Sequence, residues 1–191
     1  MIRVSVVVRA MLFIVQSNYS MKVSVVIPAY NEERRIGHTL AVTSAYLDQH
    51  WPEDYEIIVV NNRSTDGTRD LVQNIQHTLS RVTLIDEPVQ GKGAAVKTGM
   101  LYATGQARVF MEADNSTPVS HLEIMLPYLE QGYGVVIGSI AVTGARIMSR
   151  EPWYRRLFGR TGNWFIRFFA VPGIHDTQRG FKVFTARAAH D

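Results

Sequence analysis

The sequence predicts an α/β fold, a mostly parallel sheet flanked by helices, and three observations carry that reading. From Met21 onward, short β-branched apolar runs alternate with longer amphipathic stretches, the pattern of repeated βα units. Each apolar run closes on polar or glycine-rich residues. The chain is 191 residues long with 46% hydrophobic and 19% charged residues, which suits one domain with a sizeable core and excludes a disordered chain.

The strands are expected at Lys22 to Pro28, Glu56 to Asn61, Val82 to Asp86, Arg108 to Glu112 and Gly134 to Ser139, with a further strand-like run at Phe181 to Phe184. Between them the periodicity predicts helices over Glu32 to Asp48, Thr68 to Leu79, Ala94 to Ala103 and Val119 to Glu130. Thr117 before Pro118 reads as a cap ahead of a proline at the first helical position, and Asp66-Gly67-Thr68 as a turn followed by a cap. The first twenty residues are apolar but broken by Arg9, short of the roughly 20 apolar residues a membrane span needs. They carry no cleavage pattern of a secretory signal, and Met21 sits directly before a well-formed strand. Residues 1–20 are therefore expected to be an extension outside the fold and 21–191 the domain, which stops soon after a strand and has the look of a C-terminally shortened one.

In an open parallel sheet, ligands sit beyond the carboxyl ends of the strands, so those ends locate the site. They read Pro28-Ala29-Tyr30-Asn31-Glu32-Glu33, Asn61-Asn62-Arg63-Ser64-Thr65-Asp66-Gly67, Asp86-Glu87 and Glu112-Ala113-Asp114. Each alone is compatible with an ordinary turn; together they predict one polar crevice. Alternate residues of an extended chain project to one side, so Glu112 and Asp114 make a carboxylate pair about 6 to 7 Å apart along the chain. Such a pair suits a hard divalent cation, magnesium or manganese, bridging to a diphosphate. Gly91-Lys92-Gly93 opens a helix and offers backbone N–H groups, a lysine and a helix N-terminus to an anion.

Other chemistries are excluded by what is missing. With no cysteine there are no disulfides, thiolate metal sites or cysteine nucleophiles. Ala94 follows Gly93 where a Walker loop needs G-K-[ST], and the first βα turn lacks G-x-G-x-x-G, which argues against NTP hydrolysis and against NAD or FAD. A nucleotidyltransferase would also want a glycine-rich loop where PAYNEE stands. The charge is uneven: the chain carries +3 in all, yet Arg146, Arg150, Arg155, Arg156, Arg160 and Arg167 face only Glu151. Interleaved with Trp153, Tyr154, Trp164 and Phe165, this basic aromatic segment, 146–169, suits a membrane surface or, equally, a buried aromatic helix with solvated arginines. No nucleic-acid partner is expected.

The runs VSVVIPAYNEE (23–33), STDGT (64–68), GKGAAVKTGM (91–100), EADNSTP (112–118) and DTQRGFKVF (176–184) resemble, in order and spacing, the inverting glycosyltransferases of family 2. Within it they are most similar to the dolichyl-phosphate glucosyltransferases and related polyprenyl-phosphate sugar transferases. The resemblance spans Met21 to about Phe184. It implies a GT-A fold and a UDP-glucose-like donor, with Pro28, Ala29, Tyr30 and Glu32 lining the uridine pocket and Lys92 near the diphosphate. Glu112, Ala113 and Asp114 would form the acidic triplet that binds metal and nucleotide sugar.

The chain also departs from the family pattern. Asn61-Asn62-Arg63-Ser64 stands where relatives usually read Asp-Asp-Gly-Ser or Asp-Asn-Gly-Ser, and an Asn61 oxygen would accept from the ring N–H of the base. Glu112 replaces the usual first aspartate, and Ile140 replaces a frequent arginine whose phosphate contact Arg146 or Arg150 would have to supply. Arg179, a further candidate for acceptor or phosphate binding, stands where eukaryotic relatives tend to have cysteine. The expected reaction is transfer of a hexose from a UDP-sugar to a polyprenyl phosphate, with Lys92 stabilising the leaving group and Asp176 as general base or orienting group. The protein is then expected to be cytoplasmic and peripheral to the membrane. A soluble saccharide acceptor, or a catalytically silent nucleotide-sugar binder, is the alternative.

Overall fold

The computed structural model describes residues 4–5, 21–52, 54–138 and 181–191. Its strands are β1 (Val4–Ser5), β2 (Val23–Ala29), β3 (Tyr55–Asn61), β4 (Val82–Asp86), β5 (Ala107–Met111), β6 (Val135–Ile137) and β7 (Phe181–Thr185). The helices are α1 (Glu33–His50), α2 (Thr68–Ile75), α3 (Lys92–Tyr102), α4 (Leu122–Glu130) and α5 (Ala186–His190), with a 3₁₀ turn over Val119–His121 before α4. The seven strands form one sheet in the order β1-β6-β7-β5-β2-β3-β4. All neighbouring pairs are parallel except those of β7, which runs antiparallel between β5 and β6.

β2 and β3 are near-continuous Val and Ile because both faces of the central sheet are covered. Strand alternation sends Val25, Ile27, Ile57 and Val59 to one core, with Ile36, Leu40 and Leu47 of α1 and Leu122 and Leu126 of α4. Val26, Ile58, Val60 and Phe110 go to the other, against Ala95 and Met100 of α3. Gly99 sets the closeness of that second contact. A Cβ there would lie 2.3 Å from Val26 Cγ1 and 2.8 Å from Val60 Cγ2, so α3 rests directly on β2 and β3. Glycine is what allows this seating, and it brings the first turn of α3 over the strand ends.

The lower ends of the strands are stapled by polar groups. Glu56 accepts from Ser24 Oγ at 2.6 Å, from Thr104 N at 2.8 Å and from Thr104 Oγ1 at 2.7 Å. The buried Arg108 guanidinium donates to the carbonyls of Met100, at 2.5 Å, and Gly105, at 3.3 Å. Burial alone would raise the Glu56 carboxyl, but the Ser24 and Thr104 donors outweigh it and hold it below the usual carboxylate range.

The upper ends open instead. The chain runs from β2 to β3 to β4 in one direction and then crosses to β5 on the other side of β2, so the sheet order reverses between β2 and β5. Their ladder stops at Val26 paired with Phe110. Pro28 follows, and having no N–H to donate it suits the point where β2 has lost its β5 neighbour. A crevice at such a reversal is where open α/β sheets bind ligands.

The predicted strands and helices are all present, with ends displaced by a few residues. α2 stops at Ile75, and a turn over Gln76 to Thr78 replaces its expected last turn. The expected cap at Thr117 is not formed: Pro118 is the N-cap residue of the 3₁₀ turn and no side chain caps it. Thr68 is the first residue of α2, and Asp66 Oδ1 accepts its N–H at 3.0 Å. Val4–Ser5 lies parallel to Val135 and Val136. The other residues of 1–20 lie outside the described residues.

Candidate active site

A cleft of about 390 Å³ lies over the reversal point. β2 and the turn after it contribute Pro28, Ala29, Tyr30 and Glu32, and Asn62, the residue after β3, also lines the cleft. The start of α3 adds Gln90, Gly91, Lys92 and Ala95, and the end of β5 adds Glu112, Ala113 and Asp114. Asn62, Gln90, Gly91 and Ala95 are lining residues beyond those expected for the nucleotide sugar. Gly91 had its signal in the glycine-lysine-glycine run, and Gln90 had none.

The turn after β2 is built into the one after β3. Asn31 Oδ1 accepts from Thr65 N at 2.8 Å, Asn31 N donates to Ser64 Oγ at 3.1 Å, and Glu32 N donates to Thr68 Oγ1 at 2.8 Å. This leaves Tyr30 49% exposed at the cleft wall, where its ring can stack on a planar ligand. Glu32 pairs with Arg35 at 2.8 Å. Its carboxyl is nonetheless raised above the ordinary range, first by burial, with Asp114 adding repulsion and Arg35 opposing.

Among the described residues three non-glycine residues adopt left-handed backbone, and all follow strands that end at the cleft: Asn31 (φ 56°), Arg63 (φ 60°) and Asn115 (φ 52°). Asparagine tolerates this region and arginine does not, at a cost of roughly 1–2 kcal/mol. Glycine removes that cost but loses about 0.5–1 kcal/mol of unfolded-chain entropy. Arg63→Gly is therefore expected to stabilise the fold by about 0.5–1 kcal/mol, read as a higher urea midpoint at unchanged slope. An unchanged or lower midpoint would show that the Arg63 side chain compensates for its backbone.

Asn61 does not line the cleft. It closes β3 in register with Asp86 at the end of β4, so the two side chains meet: Asn61 Nδ2 donates to Asp86 Oδ1 at 2.7 Å, and Asn61 Oδ1 accepts from Ser64 N at 3.2 Å. Asn61 first, and then Arg69, hold the Asp86 carboxyl below its ordinary range.

Asn62, one residue on and 4% exposed, spends its amide on the turn that leads into α3. Nδ2 donates to the carbonyls of Glu87 (3.1 Å) and Val89 (2.7 Å), and Oδ1 accepts from Gly91 N at 2.7 Å. Glu87 braces the same turn, accepting from Val89 N at 2.6 Å and from the Thr98 hydroxyl; those two donors, Thr98 foremost, hold it below the ordinary range. Gly91 has φ +139°, which only glycine adopts without strain. Lys92 thus leaves a backbone fixed from both sides.

Across the cleft, Lys92 Nζ lies 2.5 Å from Glu112 Oε1 and 5.2 Å from the centroid of the Phe110 ring. Glu112 Oε2 accepts from Ser116 Oγ at 3.3 Å, and Asp114 Oδ1 accepts from Ser116 N at 2.9 Å. Thr39 of α1 anchors the triplet from beneath by donating to Ala113 O at 2.7 Å. Glu112 and Asp114 both face the cleft, and among the described residues no third Asp, Glu, His or Cys joins them as a ligand group. Two carboxylates with open positions suit a magnesium or manganese ion whose other ligands are phosphate oxygens and water.

Residues 24–188 match the family described as Glycosyl transferase family 2. The chain belongs to this family. Its curated relatives include dolichyl-phosphate beta-glucosyltransferase ALG5C of Trichomonas vaginalis, 37% identical over 175 residues that cover 86% of this chain and 52% of the relative. Dolichyl-phosphate beta-glucosyltransferases of Drosophila melanogaster (33% over 183 residues; 89% and 56% covered) and Homo sapiens (30% over 187 residues; 88% and 56%) are also similar. The chain spans about half the length of these relatives.

Among solved structures, mannosyl-3-phosphoglycerate synthase from Rubrobacter xylanophilus superposes with a TM-score of 0.64 at 21% identity, covering 87% of this chain and 53% of the other. Glucosyl-3-phosphoglycerate synthase of Mycobacterium tuberculosis, in complex with Mn2+, UDP-glucose and phosphoglyceric acid, gives 0.59 at 23% identity, covering 88% and 57%. The fold of this family 2 domain is therefore GT-A. Of the site residues expected from its motifs, Asp176, Arg146, Arg150 and Arg179 lie outside the described residues, as does segment 146–169. No helix among the described residues is long and apolar enough to cross a membrane.

Proposed function

We propose that this family 2 domain transfers a hexose, glucose by the similarity of its relatives, from a UDP-sugar to a polyprenyl phosphate with inversion at the anomeric carbon. One observation carries the reading: an exposed aromatic ring, a lysine at a helix start and a carboxylate pair line a single cleft at the sheet's reversal point. Tyr30 and the neighbouring Pro28 and Ala29 offer an apolar wall for the base. Lys92 and the N–H groups opening α3 face the diphosphate, where negative charge grows as the sugar departs. Magnesium or manganese held by Glu112 and Asp114 would neutralise further charge on that leaving group.

The acceptor oxygen attacks from the face opposite the nucleotide. A phosphate monoester, with a second pKa near ~6, is largely anionic at neutral pH and needs little deprotonation. Asp176 then orients groups, and Arg146, Arg150 or Arg179 would meet the acceptor phosphate. The basic aromatic segment 146–169 supports a location at the cytoplasmic membrane surface. UDP release from UDP-glucose with manganese is expected to depend on a short polyprenyl phosphate. Release that proceeds equally well with a soluble oligosaccharide would overturn the lipid acceptor, and UDP-glucose binding without release on any acceptor would identify a silent binder.

A further inference from the structure

The site holds its own cation. Lys92 Nζ makes its contact to Glu112 at Oε1, and Ser116 holds Oε2, so both oxygens of one of the two candidate metal ligands are engaged. Among the described residues, Asp114 accepts the Ser116 N–H on Oδ1 and no other hydrogen bond. An incoming divalent cation therefore meets an ammonium group on Glu112. The contact is tuned by the glutamate: an aspartate at 112 would be one C–C bond shorter, about 1.5 Å, and would stretch the 2.5 Å contact to the edge of ion-pair range. The lysine is also free to leave. Its side chain is 56% exposed and sits on a flexible stem at the first residue of α3, where a diphosphate would draw it toward greater negative charge.

We propose that Lys92 is a placeholder on Glu112: in the absence of nucleotide it competes with the divalent cation, and a bound diphosphate removes it and frees Glu112 for the metal. Metal and diphosphate then bind cooperatively, and by linkage each raises the affinity of the other by the same factor. This inference rests on the metal and diphosphate reading of the cleft given above, and it adds a second role for Lys92, in setting the order in which the site fills.

The test is calorimetric titration of Mn2+ into the purified chain, with and without UDP. Lys92→Met should bind Mn2+ alone more tightly than the unaltered chain, on the order of threefold to tenfold for loss of one competing charge at a half-exposed site. UDP should raise Mn2+ affinity strongly in the unaltered chain and much less in Lys92→Met. Glu112→Asp, which shortens the reach without removing either charge, should likewise tighten Mn2+ binding without nucleotide. Unchanged or weaker Mn2+ binding by Lys92→Met, or an undiminished UDP effect, overturns the placeholder. Asp114→Ala separates this from the underlying reading: Mn2+ affinity indifferent to that change would remove the metal site itself. Lys92 is exposed, so melting temperatures should agree among the variants, and Glu112→Asp gives an independent answer if one variant fails to fold.

Discussion

Asp114→Ala is expected to lower manganese-dependent UDP release by about a hundredfold to a thousandfold, the size of effect seen when one preorganised charge-stabilising group is removed from a transition state. The structure explains why Glu112 would not substitute. With Asp114 removed, Glu112 is the one carboxylate left of the pair, too little to hold a divalent cation against the diphosphate. Asp114 is exposed and accepts only the Ser116 N–H among the described contacts, so the fold should be little affected. The measurement is single-turnover UDP release at saturating UDP-glucose, beside a urea melt. A loss below tenfold at unchanged stability would show that Asp114 does not act on the leaving group. The same variant should also ease Glu32, whose carboxyl is raised in part by Asp114, back toward its ordinary range.

Asn62→Ala should cost both stability and activity. Three hydrogen bonds vanish and leave two carbonyls and the Gly91 N–H in a part-buried turn, where an unsatisfied buried group costs about 1–3 kcal/mol. Water entry will recover part of this, so a net loss of about 2–3 kcal/mol is expected. UDP affinity should fall at least tenfold, because the turn presents Lys92 and the opening N–H groups of α3. Asn62→Asp isolates the donors: its oxygen can still accept from Gly91 N, but it faces the Glu87 and Val89 carbonyls with negative charge. It should be no better than alanine. Full UDP affinity in either variant, measured on the folded fraction, would mean that the turn holds its shape without Asn62.

The two asparagines show where a sequence reading stops. They are adjacent and of the same type, and local chemistry cannot say which one faces a ligand. Strand register decides it: Asn61 is still in β3, paired with Asp86, and its side chain is spent there, whereas Asn62 has left the ladder and reaches the α3 turn. Glu87 is similar. It reads as one more polar strand end, but it is buried beneath the turn and bonded to Thr98 of α3. Lys92 and Glu112 each announced themselves as anion-binding and metal-binding, and the contact between them, across twenty positions of sequence, did not.

What the amino-acid sequence determined by itself was the set of elements and the crevice. Runs such as VSVVIPA and YEIIVVN have only one economical burial, as central strands covered on both faces, and polar residues that end such strands must gather at one edge. What only the tertiary structure decided was pairing: which amide braces the loop, which carboxylate takes the lysine, and that Val4–Ser5 lies beside β6. Burial is encoded in the local pattern of each segment, while side-chain partners depend on register and on how closely two elements approach. In this chain that approach is set by such details as the missing Cβ of Gly99 on the face of α3 that meets the sheet.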